Sequence, residues 1–166
     1  MPYAEAAVAI EAPIDVVWSA MIAFDEYPAW NPFIVRIERP VGSAAQLGDE
    51  LILHVRWRGG LGVTSRERIT RIDAPKEIGG VRRAALEYEF LGPLAALNLA
   101  RGRRLQTLEQ GSSGGPTLYR TEERLHGWLA GLVPARALRD GFERHAAALA
   151  ARAAALLARE GDPGRR

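Results

Sequence analysis

The sequence predicts an α+β domain, with a curved antiparallel sheet of six to seven strands wrapped around a long C-terminal helix and two short helices after the first strand. Three observations predict it. Apolar residues recur every second position over most of the chain, they switch to helical spacing for good only after Pro134, and one Pro- and aromatic-rich stretch interrupts the two-residue period near the N-terminus.

In chain order, Ala4, Ala6, Val8 and Ile10 alternate with Tyr3, Glu5, Ala7 and Glu11, the pattern of a half-buried strand. Pro13 and Asp15 suit a first helical turn, and Val17, Trp18, Met21 and Ile22 recur at helical spacing, so a helix of about two turns follows. Phe24 to Phe33 holds Pro28 and Pro32 among four aromatic residues and reads as a second short helical turn entering an irregular corner. Phe33, Val35 and Ile37 then share one strand face, and Leu51, Leu53, Val55 and Trp57 share another across a Gly-containing turn. Gly59-Gly60 leads into a strand over Val63–Ile72, and Asp73-Ala74-Pro75 is read as the next turn. Extended segments near Ile78–Phe90, Arg103–Glu109 and Thr117–Leu125 complete a meander, with Gln110 to Pro116 as a flexible hairpin loop. The nearly uncharged run from Leu91 to Ala100 is either a loop or a short helix.

From Pro134 the positions Leu138, Phe142, His145 or Ala146, Leu149, Ala153 and Leu156 fall three and four apart, predicting a helix about 38 Å long at about 1.5 Å per residue. Arg136 and Asp140 are spaced for an i,i+4 pair on its outer face. Gly141 inside this helix costs about 1 kcal/mol relative to Ala, which close approach by the sheet or a ligand would explain. We expect one domain over residues 1–160 and a disordered tail at 161–166.

Composition narrows the chemistry. The 166 residues are 48% hydrophobic and 25% charged, which fits one globular domain large enough to enclose a cavity. The absence of cysteine excludes disulfide scaffolds, thiolate metal centres and a cysteine nucleophile. Although the pI is near 9.4, the net charge is only +2, and the arginines are scattered among 20 acidic residues rather than set in a phosphate-tracking stripe. Nucleic acid is therefore not an expected partner. The N-terminus has no basic segment ahead of an apolar core, and Arg144, Arg152 and Arg159 interrupt the alanine-rich stretch, so the expected location is cytoplasmic without integral membrane association.

A sheet of this curvature and one helix close only part of the space between them, leaving an apolar pocket with a few polar groups. The residues also resemble a known family. Ile10 to Trp18, Tyr27-Pro-Ala-Trp-Asn-Pro-Phe33, Gly48-Asp-Glu-Leu, Ile69 to Pro75 and Tyr119 to Gly127 before a long helix are similar to the START-like (SRPBCC) helix-grip superfamily, in its polyketide cyclase/dehydrase branch. The resemblance covers residues 3–158 and implies a hydrophobic ligand cavity between sheet and helix. The chain departs from it in having Ile78-Gly79-Gly80 where many relatives carry a Trp, and Gly102-Arg103-Arg104 where many carry Gly-Glu-His.

His54, His126 and His145 are too dispersed for a local metal motif, so no metal or other cofactor is expected; His145, near the inward stripe, is the best placed to reach a pocket. Glu122 and Glu123 point to opposite sides of one strand and cannot act as a facing pair. Candidate ligand-binding residues are Trp30, Asn31, Phe33, Leu53, Val55, Trp57, Tyr119, Phe142 and His145, and weak catalytic candidates are Tyr119, Glu123 and Arg104. If they are buried, Arg104 and Glu123 on neighbouring strands would satisfy each other as a pair, whereas a solvated sheet face explains them without one. The leading expectation is a binder or carrier of a small hydrophobic molecule such as a lipid, quinone or polyketide. The alternatives are a polyketide cyclase or dehydratase using the same cavity, and a protein-interaction or stress-response module; a homodimer is left open. A continuous cavity of at least about 300 Å³ would favour binding or catalysis, and a filled one would favour the interaction module.

Overall fold

The computed structural model describes residues 3–40, 44–92, 95, 97, 101–128, 130–132 and 134–160. Strand β1 (Tyr3–Ile10) leads into helix α1 (Ile14–Ile22), a 3-10 turn (Phe24–Glu26) and the single-turn helix α2 (Tyr27–Trp30). Strands β2 (Ile34–Glu38), β3 (Glu50–Arg56), β4 (Gly62–Ile78), β5 (Val81–Leu91), β6 (Arg101–Gly111) and β7 (Thr117–His126) follow, and after a second 3-10 turn (Ala130–Leu132) the chain ends in helix α3 (Ala135–Glu160). The seven strands form one antiparallel sheet in the order β1-β7-β6-β5-β4-β3-β2.

Alternation decides which face of each strand turns inward. Along β6 the even positions Gly102, Arg104, Gln106, Leu108 and Gln110 are buried, and along β5 Ala84, Leu86 and Tyr88 are buried on the same concave side. Helix α3 supplies the facing stripe, with Leu138, Phe142, His145, Ala146, Leu149 and Ala153 all buried. Helix α1 buries Ile14, Val17, Trp18 and Met21. Pro13 has no side chain to cap that helix, so the Ile14 N–H donates to Gln110 Oε1 at 3.1 Å, while Thr117 Oγ1 donates to the Ala12 carbonyl at 2.7 Å.

Three local expectations need correction. Asp73-Ala74-Pro75 is not a turn: β4 runs through it with a register shift between Asp73 and Lys76, and the chain reverses at Gly79-Gly80, where Ile78 faces Val81. Both glycines have positive φ, 60° and 76°, the backbone that a two-residue hairpin turn demands, whereas a bulge accommodates a proline without requiring a turn. In β2 a register shift between Ile34 and Arg36 buries Ile34 and Ile37, so Phe33, Val35 and Ile37 do not share one continuous face. Asp140 does not pair with Arg136; it accepts from Arg144 Nε at 3.0 Å and from Arg58 Nε at 2.8 Å. Arg144 is drawn to that side because its other nitrogens donate to the Pro32 and Arg56 carbonyls at 2.9 and 3.1 Å, tying α3 to the corner between α2 and β2. The Leu91 to Ala100 run lies mostly outside the described residues, as does the 161–166 tail.

Candidate ligand cavity

Between the concave face and the first turns of α3 lies a cavity of about 240 Å³. That is just under the ~300 Å³ at which common ligand pockets begin, and it is open rather than filled. Phe33, Leu53, Val55, Trp57, Leu138 and Phe142 give it an apolar wall. Phe33 is central: its ring meets Trp57 and Phe142 edge-on, with centroids 5.6 and 6.0 Å apart, and the Arg144 guanidinium lies 5.6 Å from its centroid. A Cβ at Gly141 would fall 2.2 Å from Cε2 of the same ring. Close approach of the corner to the helix therefore accounts for this glycine.

The inner part of the wall carries polar groups. Arg104 is 4% exposed; its Nε donates to Thr121 Oγ1 at 2.9 Å and its Nη1 to Tyr88 Oη at 3.2 Å, and its guanidinium carbon lies 4.4 Å from the Phe142 ring centroid. Gln106 continues the network, donating to Tyr88 Oη at 3.3 Å and accepting from Tyr119 Oη at 2.8 Å. Glu123 lies directly opposite Arg104 across β6 and β7 and lines the same cavity, yet the two do not form an ion pair. Arg104 spends its donors on two neutral hydroxyl oxygens, and Nη2 has no partner. Gly102 makes room for the carboxyl, since a Cβ there would fall 2.6 Å from Glu123 Oε1.

Burial raises the Glu123 carboxyl to about 7 against the pull of Arg104. Glu67, on β4, lines the cavity as well and is pushed up to about 8, mainly by burial; nearby Glu123 and Glu89 add to the rise, while the Ser65 hydroxyl hydrogen bond and Arg104 oppose it. Both side chains are half-buried at the open cavity, and burial is the main cause of both shifts. Burial also keeps the Tyr88 phenol protonated, well above its ordinary range.

The corner residues divide between two places. Phe33 reaches the cavity, whereas Trp30, Asn31 and His145 do not line it and form a second buried cluster with Tyr27 and Tyr119. Asn31 Oδ1 accepts from the backbone N–H groups of Phe33 and Ile34, both at 3.0 Å, which orients the amide so that Nδ2 donates to His145 Nδ1 at 2.9 Å. The proton of the neutral imidazole is thereby assigned to Nε2, which has no partner. Burial, aided by Arg104, lowers the His145 pKa well below 6.5. The Tyr119 ring stacks on His145 with 5.9 Å between centroids and sits behind the cavity wall.

Of the nine residues expected to bind ligand, Phe33, Leu53, Val55, Trp57 and Phe142 line the cavity; of the three catalytic candidates, Arg104 and Glu123 do. Glu67 and Tyr88 were not anticipated. Tyr88 could have been found by extending the Ala84 and Leu86 parity, and Glu67 by the parity of Val63 and Ile69 on β4, which the register Leu51 to Glu67 turns inward. His54 instead meets Glu38 Oε1 at 2.8 Å away from the cavity, and His126 is exposed. Among the described residues no group of three His, Asp or Glu side chains is placed to hold a metal ion, and no helix is long and apolar enough to cross a membrane.

A seven-stranded antiparallel sheet gripping a C-terminal helix across an apolar cavity defines a START-like, helix-grip protein. Solved structures with this fold include major latex-like protein 151 from Panax ginseng, at 13% identity and TM-score 0.65, covering 90% of this chain and 95% of that one. A protein from Thermobifida fusca matches at 19% identity and TM-score 0.63, over 94% and 95% of the two chains. The di-domain ARO/CYC StfQ from the steffimycin biosynthetic pathway matches at 13% identity and TM-score 0.61, over 97% of this chain and 52% of its own. None of the curated proteins matches the sequence. The chain belongs to the polyketide cyclase/dehydrase and lipid transport family, whose model matches residues 1–154.

Proposed function

We propose that this protein binds a small, largely apolar molecule in the cavity between its sheet and α3. The carrying observation is the open volume of about 240 Å³, walled by Phe33, Leu53, Val55, Trp57, Leu138 and Phe142. An exposed apolar concavity gains by taking an apolar guest out of water, at about 25 cal/mol per Å² buried. Family membership supports either binding and transport or polyketide cyclisation. Titration with a lipophilic dye, read through Trp57 emission with Trp57→Phe as control, tests the reading. Saturable binding that competes with other small apolar compounds is expected, and the absence of saturation with any of them overturns it.

A second reading is catalysis in the same cavity, favoured by Glu123 and Glu67, which hold their protons near neutral pH beside the Arg104 guanidinium. A protonated carboxyl can give a proton to a carbonyl oxygen or an alkoxide leaving group while the guanidinium stabilises developing negative charge. Tyr119 would act on this chemistry only through Gln106 and Tyr88. Turnover of a polyketide-like substrate that is lost in Glu123→Gln and Arg104→Gln supports this role; turnover unchanged in both rejects it.

A further inference from the structure

Resting on the proposed cavity, the chemistry of its inner wall specifies the guest further. Arg104 is buried and charged, and among the described residues its Nη2 is the one cavity-lining side-chain atom that is both shut off from solvent and without a hydrogen-bond partner. The partners of its other nitrogens, Thr121 and Tyr88, are uncharged, and among the described residues no carboxylate oxygen lies within 4 Å of the guanidinium. A guanidinium held this way lacks the counter-anion that normally offsets its lost hydration. We propose that the natural guest is a monocarboxylate on an apolar body, whose carboxylate is received by Arg104 Nη2.

The surrounding groups agree on the sign of the field. Glu67 on β4 and Glu123 on β7 are the acidic residues lining the cavity, and burial delays their ionisation to about 8 and about 7. Tyr88 on β5 and Tyr119 on β7 are phenols kept protonated by burial, as is Tyr27 of α2, and His145 on α3 is kept neutral. Arg101 on β6 adds a second cation at the exposed side of the lining. Glu89 on β5, which also acts on Glu67, is partly offset by Arg103 at 3.6 Å. Below about pH 7 the inner wall is therefore net positive, and above about pH 8 both carboxylates compete with an incoming anion for Arg104.

Calorimetric titration with 2-naphthoate and with 2-naphthamide, equal in ring and nearly equal in size, separates the charge from the apolar body. At pH 6 the naphthoate is expected to bind about tenfold more tightly or better, as a charge-assisted hydrogen bond in a desolvated site would give. That advantage is expected to fall severalfold by pH 9 in the wild type and to persist at pH 9 in Glu67→Gln, Glu123→Gln or their combination. Arg104→Gln is expected to retain amide binding and lose the preference; if it does not fold, the pH profiles of the two Glu variants decide. Equal affinity for the two compounds at pH 6 overturns the inference and leaves the apolar cavity standing. A preference that does not vary with pH, or that survives Arg104→Gln, also overturns it. Binding of neither compound removes the cavity reading and this inference together.

Discussion

Gly141 shows how one missing methyl group sets a wall of the cavity. Its helix propensity is poor, and alanine would regain about 1 kcal/mol of it in an exposed helix. Here the added carbon would sit 2.2 to 2.6 Å from three atoms of the Phe33 ring, which Trp57 and Phe142 hold in place. Overpacking outweighs propensity, so Gly141→Ala is expected to lower stability by about 1–3 kcal/mol, read as a fall in the urea midpoint at unchanged slope. Glu67 and Glu123 make an equally local prediction about pH. Their carboxyls keep protons to about 8 and about 7 when folded, against an ordinary 4.5 when unfolded, so the folded state binds more protons through that window. Their contribution is fully present below pH 4.5 and is lost as pH rises through 7 and 8. His145 acts oppositely: its folded pKa is lowered, so its contribution is present above 6.5 and is lost as pH falls below that value. Denaturation midpoints of the wild type and Glu123→Gln at pH 5 and pH 8 should show a smaller loss of stability with rising pH in the variant.

At the scale of elements, the corner after α2 is held by a side chain rather than by secondary structure. Asn31 accepts two backbone N–H groups at the entry to β2 and donates to His145 on α3, joining three elements in one buried residue. Asn31→Ala leaves those partners unsatisfied in a dry site and is expected to cost roughly 2–3 kcal/mol, with loss of the His145 side-chain proton shifts as an NMR signature. The same corner shows what a linear sequence reveals. Its two prolines and clustered aromatics mark it as irregular, but Phe33 turns into the cavity while Trp30 and Asn31 turn toward His145, a division made by the chain's path through Pro32 and the β2 bulge. The inward stripes of β3 and α3 were readable because each has one apolar and one polar face. In β4 Val63 and Ile69 mark the inward parity, but Ser65 and Glu67 between them are polar, so the contrast with Arg66 and Arg68 is weak there.

For the whole molecule, the cavity sets stability against binding. A well-packed interior would fill the space beside Val55 and Phe142, and an unfilled one forfeits contacts that close packing would supply. Val55→Phe projects a ring into the cavity from β3 and is expected to leave thermal stability unchanged or raise it by a few degrees while weakening binding of apolar probes about tenfold or more. Calorimetry and a lipophilic-dye titration on the same sample check both halves of that exchange.

By itself the sequence determined the α+β class, the order of strands and helices, the apolar stripes that face each other and the family resemblance, because each is carried by local periodicity or a short motif. The tertiary structure alone decided that Arg104 and Glu123 face each other without pairing, that Glu67 joins them from a distant strand, and that His145 and Tyr119 lie behind the cavity wall. Those outcomes depend on register and curvature, which bring residues from β4, β6 and β7 to one point and set how much water remains between them.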